Sequence, residues 1–193
     1  MRRFSATDII LASNSPRRQQ FLKDIGLSFT VQTHQVEEIF SPELKKEEIS
    51  NYLVQLKARP FKTLSDNQLI ITADTIVWSN GACLGKPKNT QEAKQMLRQL
   101  SGQSHEVITS VAFTQKTQQT LINETTVVHF KPLTEEEIEY YIRQFKPFDK
   151  AGGYGIQEWI GIIGIDKIEG SYTNVVGLPV AQVLTTLEQI CHE

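Results

Sequence analysis

Four short segments carry residue types that could handle a charged ligand. The first is Ser13-Asn14-Ser15-Pro16-Arg17-Arg18, directly after the apolar run Ile9-Ile10-Leu11-Ala12. Capping-type residues before a proline mark a helix start. Backbone N–H groups and the positive end of the helix dipole meet there, which favours an anion. Arg17 and Arg18 add guanidinium forks able to hold phosphate oxygens in pairs. The plainer alternative is a capped helix with two solvated arginines in its first turn. Against it, each cation at a helix N-terminus opposes the dipole by roughly 0.3–1 kcal/mol. The Gly-rich spacing and Gly-Lys-Ser/Thr ending of a Walker loop are absent.

The second segment is Thr72-Ala73-Asp74-Thr75. A carboxylate directly after a buried apolar strand is expected at the carboxyl end of the sheet, where open α/β folds bind ligands. It can hold a divalent cation or take a proton from water; a turn-forming aspartate is the alternative. The third, Gly85-Lys86-Pro87-Lys88, reads as a phosphate clamp or as an exposed basic turn. The fourth is Asp149-Lys150-Ala151-Gly152-Gly153-Tyr154-Gly155-Ile156-Gln157. Its glycines let backbone approach a ligand closely. Gln157 offers one donor and one acceptor to a base edge. A flexible Gly-rich loop is the competing reading.

Other polar residues are weaker candidates. Glu37 and Glu38 are acidic candidates, though adjacent glutamates usually form a solvated face. Lys57 lies on an amphipathic helix, where a snorkelling surface role is the alternative. His105 has no second His or Cys nearby to share a metal. Ser15 has no His at readable spacing for a nucleophilic mechanism. Cys83 and Cys191 form neither a disulfide framework nor a metal-ligand set and read as reduced thiols.

Strand-like and helix-like patterns alternate along the chain, which predicts an α/β protein. Ile9 to Ala12 reads as a buried strand, and the helix after Pro16 carries Phe21, Leu22 and Ile25 and stops at Gly26. Phe29 to Gln35 reads as a second strand. A helix is expected over 42–58, with Ile49, Tyr52, Leu53 and Leu56 on one face, before Pro60. Leu69 to Ala73 is a further buried strand, extended through Trp78 to a turn at Ser79-Asn80-Gly81. Asn89 or Thr90 caps a helix carrying Ala93, Met96, Leu97 and Leu100. Glu106–Thr114 and Leu121–Phe130 are expected to pair antiparallel. Thr134 and Glu137 form a capping box, and Val180, Val183, Leu184, Leu187 and Cys191 mark a last helix. The sheet is therefore expected to be mixed and flanked by helices.

At 193 residues, one domain over 1–193 is the default. With 39% hydrophobic and 22% charged residues, the composition excludes a disordered chain. Net charge is 20 − 22 = −2, so a polyanion must be held by local cations. No basic stripe interleaved with aromatics suggests a nucleic-acid module. No apolar run approaches the ~18 residues of a membrane helix. Met1-Arg2-Arg3-Phe4-Ser5 and the residues after it read as no targeting segment, and the cytoplasm is expected.

Taken together, these segments resemble the Maf family of nucleoside triphosphate pyrophosphatases. The likeness runs from Leu11 to Arg18 through Ala73-Asp74-Thr75-Ile76-Val77, Leu84-Gly85-Lys86-Pro87 and Leu100 to His105. It continues with Asp149 to Gln157, Gly170-Ser171-Tyr172 and Val175-Val176-Gly177-Leu178-Pro179. The resemblance implies a fold like that of inosine triphosphate pyrophosphatases, with two lobes around a cleft, often as a homodimer. It implies a divalent cation, Mg2+ or Mn2+, helping water attack a triphosphate at its α–β linkage. The family's general base falls on Asp74. Its phosphate and metal contacts match Ser13, Arg17, Arg18, Glu38, Lys57 and Lys86, with Glu38 and Asp74 as metal ligands. Its base-discriminating positions match Arg17, Thr75 and Gln157. Thr75 and Gln157 resemble the branch acting on dTTP and UTP, rather than the branch acting on 7-methyl-GTP. Glu158 and Trp159 stand where the family commonly has glycine and would narrow the base pocket. Pro60 shortens the helix carrying Lys57. Two alternatives remain open: a pyrophosphatase for modified or other nucleotides, and a nucleotide-sensing regulator of septum formation.

Overall fold

The computed structural model describes Phe4 and residues 6–191. Met1 to Arg3 and Ser5, from the stretch read as carrying no targeting signal, lie outside the described residues, as do His192 and Glu193. Among the described residues no helix is long and apolar enough to cross a membrane.

Seven strands among the described residues form one mixed sheet in the order β2-β1-β3-β5-β6-β7, with β4 paired to β3. They are β1 (Asp8–Leu11), β2 (Thr30–Val31), β3 (Gln68–Ser79), β4 (Ala82–Leu84), β5 (Ser104–Thr114), β6 (Gln119–Phe130) and β7 (Ile165–Glu169). The helices are α1 (Pro16–Asp24), α2 (Glu47–Ala58), α3 (Thr90–Leu100), α4 (Glu135–Phe145), α5 (Trp159–Gly164), α6 (Tyr172–Val176) and α7 (Val180–Cys191). β1 pairs parallel with β2 and β3, while β3 with β4 and β6 with β7 are antiparallel. Mixed pairing and flanking helices are what the alternating pattern predicted.

The chain divides into two compact units. The first comprises residues 1–74, 109–124 and 177–193, and the second 75–108 and 125–176. In the first unit the strand pleat sorts side chains by parity. Ile9, Leu11, Leu69, Ile71 and Ala73 face one way, onto a core completed by Leu22, Phe113, Val183 and Leu187. Ile10 and Ile70 face the other way with Ala12, beside Phe61 and Leu64. In the second unit, Leu97 and Leu100 of α3 and Ile138, Tyr141 and Ile142 of α4 pack with Val77, Phe130 and Ile160.

Local signals explain the element ends. Ser15 caps α1 with Pro16 at the first helical position, and Asn89 caps α3. Both hydrogen bonds of the Thr134–Glu137 capping box are made. Asn80 and Gly81 both have positive φ, 51° and 79°, which suits the tight β3–β4 hairpin.

The helix carrying Lys57 ends at Ala58 before Pro60, as expected, with C-cap Arg59 and Lys57 in its last turn. Three expectations need correction. The second strand spans only Thr30–Val31, and α2 begins at Glu47 rather than at 42. Asp74 is not at the carboxyl end of a strand. β3 runs on through it to Ser79, because β4 pairs with Val77–Ser79 and prolongs the extended backbone.

Candidate active site

The first unit holds six of the predicted residues, Ser13, Arg17, Arg18, Glu38, Lys57 and Asp74. β1 stops at Leu11, opposite Ile71, so β3 extends beyond it at Thr72. Ala12 N–H still reaches the Ile71 carbonyl (2.8 Å), and the chain then turns into α1. Ser13 is buried, and its Oγ accepts from Ser15 N–H at 3.2 Å and Arg18 Nη1 at 3.4 Å. Gln19 Nε2 donates to the Ser13 carbonyl at 3.2 Å. Arg18 Nε donates to the Gly177 carbonyl at 2.9 Å. The turn and the Arg18 side chain are thereby fixed relative to each other, and no acidic residue occupies the first turn of α1.

Strand and helix periods explain how Lys57 meets Asp74. Thr72 and Asp74 share one face of β3, two residues apart. Val54 and Lys57 share one face of α2, three residues apart. Thr72 Oγ1 donates to the Val54 carbonyl at 2.9 Å, which docks α2 on that face. One step further on each element, Lys57 Nζ donates to Asp74 Oδ1. The same ammonium lies 3.1 Å from Glu38 Oε1. Asp74 is 7% exposed and Lys57 half-buried, while Glu38 closes the cluster from the exposed side. Burial draws the Arg18 guanidinium below its ordinary value; Asp74 and Glu38 draw it back up, and Arg17 lowers it further. Arg17, Arg18, Glu38 and Asp74 therefore share one local field. Residue type alone does not separate Glu38 from Glu37; the family resemblance chose Glu38, and Glu38 is the one that lies beside Lys57.

The two carboxylates of Glu38 and Asp74 thus converge on one cation. A pair of hard oxygen donors suits Mg2+ or Mn2+, which take one or two carboxylates and complete their shell with water and phosphate oxygens. No group of three or more His, Cys, Asp or Glu with metal-site spacing occurs among the described residues.

The second unit gathers two other predicted segments. Lys86 is exposed between β4 and α3. Its neighbour Gly85 accepts from Gly152 N–H at 3.0 Å, at a single 3₁₀ turn, Ala151–Gly153. Gly152 has φ 71°, and a Cβ there would lie 3.0 Å from Val77 Cγ2, so both conformation and space require glycine. Residues 152–156 are buried and Gln157 emerges exposed. Thr75, the first residue of this unit, follows Asp74 in β3.

Glu158 and Trp159 are engaged by α4 rather than left loose. Tyr141 Oη donates to Glu158 Oε2, Lys150 Nζ pairs with Glu158 Oε1 at 3.0 Å, and Trp159 stacks edge-on against Tyr140 with centroids 4.8 Å apart. In the sequence Tyr141 carries only a helix-face signal, since a hydroxyl's partner has no sequence signature. His105 is buried, with Nε2 2.7 Å from Tyr154 Oη; burial, with His129 nearby, pushes it down to about 4.

A family model described as Maf-like protein matches residues 8–190. The chain is similar to a dTTP/UTP pyrophosphatase of Christiangramia forsetii, 56% identical over 95% of this chain and 94% of that protein. It is similar to proteins of the same name from Flavobacterium johnsoniae (55% identical, 93% and 94% covered) and Phocaeicola vulgatus (50%, 94% and 95%). Among solved structures, the Ham1 protein of Staphylococcus aureus superposes with TM-score 0.45 at 16% identity, covering 64% of this chain and 72% of that one.

Proposed function

The chain belongs to the Maf-like protein family, and from that premise we propose that it hydrolyses dTTP and UTP to the monophosphate and pyrophosphate. The names of its relatives support the substrate class. The observation that carries the reading is the convergence of Arg18, Lys57, Glu38 and the buried Asp74 in one local field beside a capped helix N-terminus.

The chemistry follows from charge. A triphosphate carries up to four negative charges, and the chain's net charge is −2, so attraction must be local. Arg17 and Arg18, with the N-terminus of α1, supply it for the phosphate chain. Ser13, held by Ser15 and Arg18, presents a hydroxyl at the same turn. Lys57 neutralises the two carboxylates and offers ammonium donors to phosphate oxygens. Glu38 and Asp74 are the residues that would hold a divalent cation, Mg2+ or Mn2+. That cation, when bound, adds two positive charges and polarises a phosphoryl oxygen. Asp74 takes the proton of the attacking water, the task of a positioned base. In the second unit, Lys86 is assigned to phosphate, and Thr75 and Gln157 to the nucleobase. Gln157 matches a uracil or thymine edge, which presents an N–H donor between carbonyl acceptors.

The test is a panel of nucleoside triphosphates scored by pyrophosphate release, with and without a chelator. Turnover highest with dTTP and UTP, and lost on chelation, is expected. Preference for a purine or modified nucleotide would overturn the substrate assignment. Tight triphosphate binding with negligible turnover would overturn hydrolysis.

A further inference from the structure

Three residues of α2, Ser50, Val54 and Lys57, are spaced i, i+4 and i+7 and so form one stripe along the helix. Lys57 reaches Asp74 and Glu38. The other two mark where the helix is hydrogen-bonded to the sheet. Ser50 and Ser110 of β5 are both fully buried, with their hydroxyl oxygens 2.6 Å apart. Ser110 Oγ donates to Asn123 Oδ1 of β6 at 2.6 Å. A hydroxyl has one proton, so Ser50 is the donor to Ser110, and it shares that proton with the Glu47 carbonyl at 3.3 Å. One turn further along α2, the fully buried Thr72 Oγ1 of β3 donates to the Val54 carbonyl at 2.9 Å.

Stability alone does not call for these hydroxyls. Replacing both members of a buried hydrogen-bonded pair by apolar groups is often nearly neutral. What the hydroxyls add is direction. Ile49, Leu53 and Val54 bury apolar surface under α2, and apolar contact is non-directional, so it tolerates a small slide or roll of the helix. A hydrogen bond fixes both a distance and an angle. Here two such contacts, four residues apart on α2, are made to two neighbouring strands, β5 and β3. Together they fix the slide of α2 along its axis and its roll about it. Lys57 lies three residues beyond the second contact, about 4.5 Å of helix rise, so its place is set by them.

We propose that Ser50, Ser110 and Thr72 are positioning residues for the hydrolysis: they set the register of α2 on the sheet and so hold the Lys57 ammonium between Asp74 and Glu38. The inference rests on Lys57 serving that reaction. Removing either contact displaces Lys57 without stranding a buried polar group. Asn123 is exposed and can turn its amide to water. The Val54 carbonyl keeps its acceptor role inside the helix.

The experiment measures kcat and KM for dTTP, and Tm, in the full-length protein and in Ser50→Ala/Ser110→Ala, Thr72→Val, Thr72→Ser and Lys57→Met. The first two variants are also combined with Lys57→Met. Thr72→Val keeps the side-chain shape and removes one hydroxyl, so it reports even if the paired serine variant does not fold. The expected result is a kcat about tenfold lower in Ser50→Ala/Ser110→Ala and in Thr72→Val, part of the roughly hundredfold that a displacement of ~1 Å can cost. KM and Tm should change little. Thr72→Ser, which keeps the hydroxyl, should turn over like the unsubstituted chain. On the Lys57→Met background neither variant should lower kcat further, since the group they position is gone. If Lys57→Met alone turns over normally, the role of Lys57 is refuted, and the positioning role with it. If Lys57→Met is impaired while Ser50→Ala/Ser110→Ala and Thr72→Val turn over normally, Lys57 keeps its role and the positioning residues are refuted. Losses that multiply with that of Lys57→Met, or that track a lower Tm, would show contacts serving stability only and overturn the proposal.

Discussion

Asp74 has an ammonium against one oxygen and little water around it, so replacing it tests chemistry more than folding. Asp74→Asn conserves shape, and Lys57 keeps Glu38 as a partner at 3.1 Å. Turnover should fall ~10²-fold or more, the usual contribution of a positioned base. Circular dichroism should be unchanged, and unaltered pyrophosphate release by the pure variant would remove Asp74 from the reaction. The two arginines should separate. Arg17→Ala should weaken triphosphate binding by roughly 1.5–3 kcal/mol, as for a charged hydrogen bond. Arg18→Ala should do the same and also lower the Tm, because Arg18 ties α1 to the Gly177 carbonyl and Ser13. Equal Tm values for the two variants would contradict that tie. At this scale residue types singled out Ser13, Arg18 and Asp74 as candidates, and the family resemblance added Lys57 and Glu38. Tyr141 as a donor and the Gly177 carbonyl as an acceptor were not legible, since each depends on a partner far along the chain.

Among the elements, periodicity did not reveal α5, β7 or α6, and α5 is the most instructive. Its Gly-rich sequence, Trp159 to Gly164, reads as loop, yet the helix forms because Gly161 lets it fold tightly over Ile156. A Cβ at Gly161 would sit 1.7 Å from the Ile156 carbonyl oxygen, a clash with backbone that cannot turn aside. Gly161→Ala should therefore cost at least ~3 kcal/mol, the upper range for overpacking. Gly85→Ala, where nothing lies within 4 Å of the added carbon, should change stability by no more than ~0.5 kcal/mol. Urea denaturation of both variants checks the contrast, and equal midpoints would refute it. Thr134→Ala should cost about 1 kcal/mol, because Glu137 N–H loses its side-chain acceptor at the start of α4, while residue 134 N–H can still donate to Glu137. The strongly patterned helices α1, α3 and α4 were readable with their N-terminal caps, and α7 from its periodicity. The short β2 and the late start of α2 were not, because exposed polar segments carry no periodicity.

For the molecule as a whole, His105 sets an acid limit. It is 3% exposed, and its value falls from 6.5 to about 4 in the folded chain. Between these values the unfolded chain binds a proton that the folded chain refuses. Stability is then present above pH 6.5 and is lost as pH falls toward 4, by about 3 kcal/mol from this residue. His105→Gln should flatten urea midpoints between pH 6.5 and 4 relative to the unsubstituted chain; an unchanged slope would place the acid sensitivity elsewhere. The sequence by itself determined the alternation of strands and helices, their caps and the local supply of cations in a chain of net charge −2. These depend on residue type and on spacings of two to four positions, which any window of the chain displays. Tertiary structure alone decided that Asp74 lies within a strand, that Lys57 joins it to Glu38, and that Tyr141, Lys150 and Glu158 close around Gly155. Those pairings join residues that local periodicity leaves independent. Only the packing of α2 on β3 and of α4 on the glycine loop brings their polar atoms within hydrogen-bonding distance.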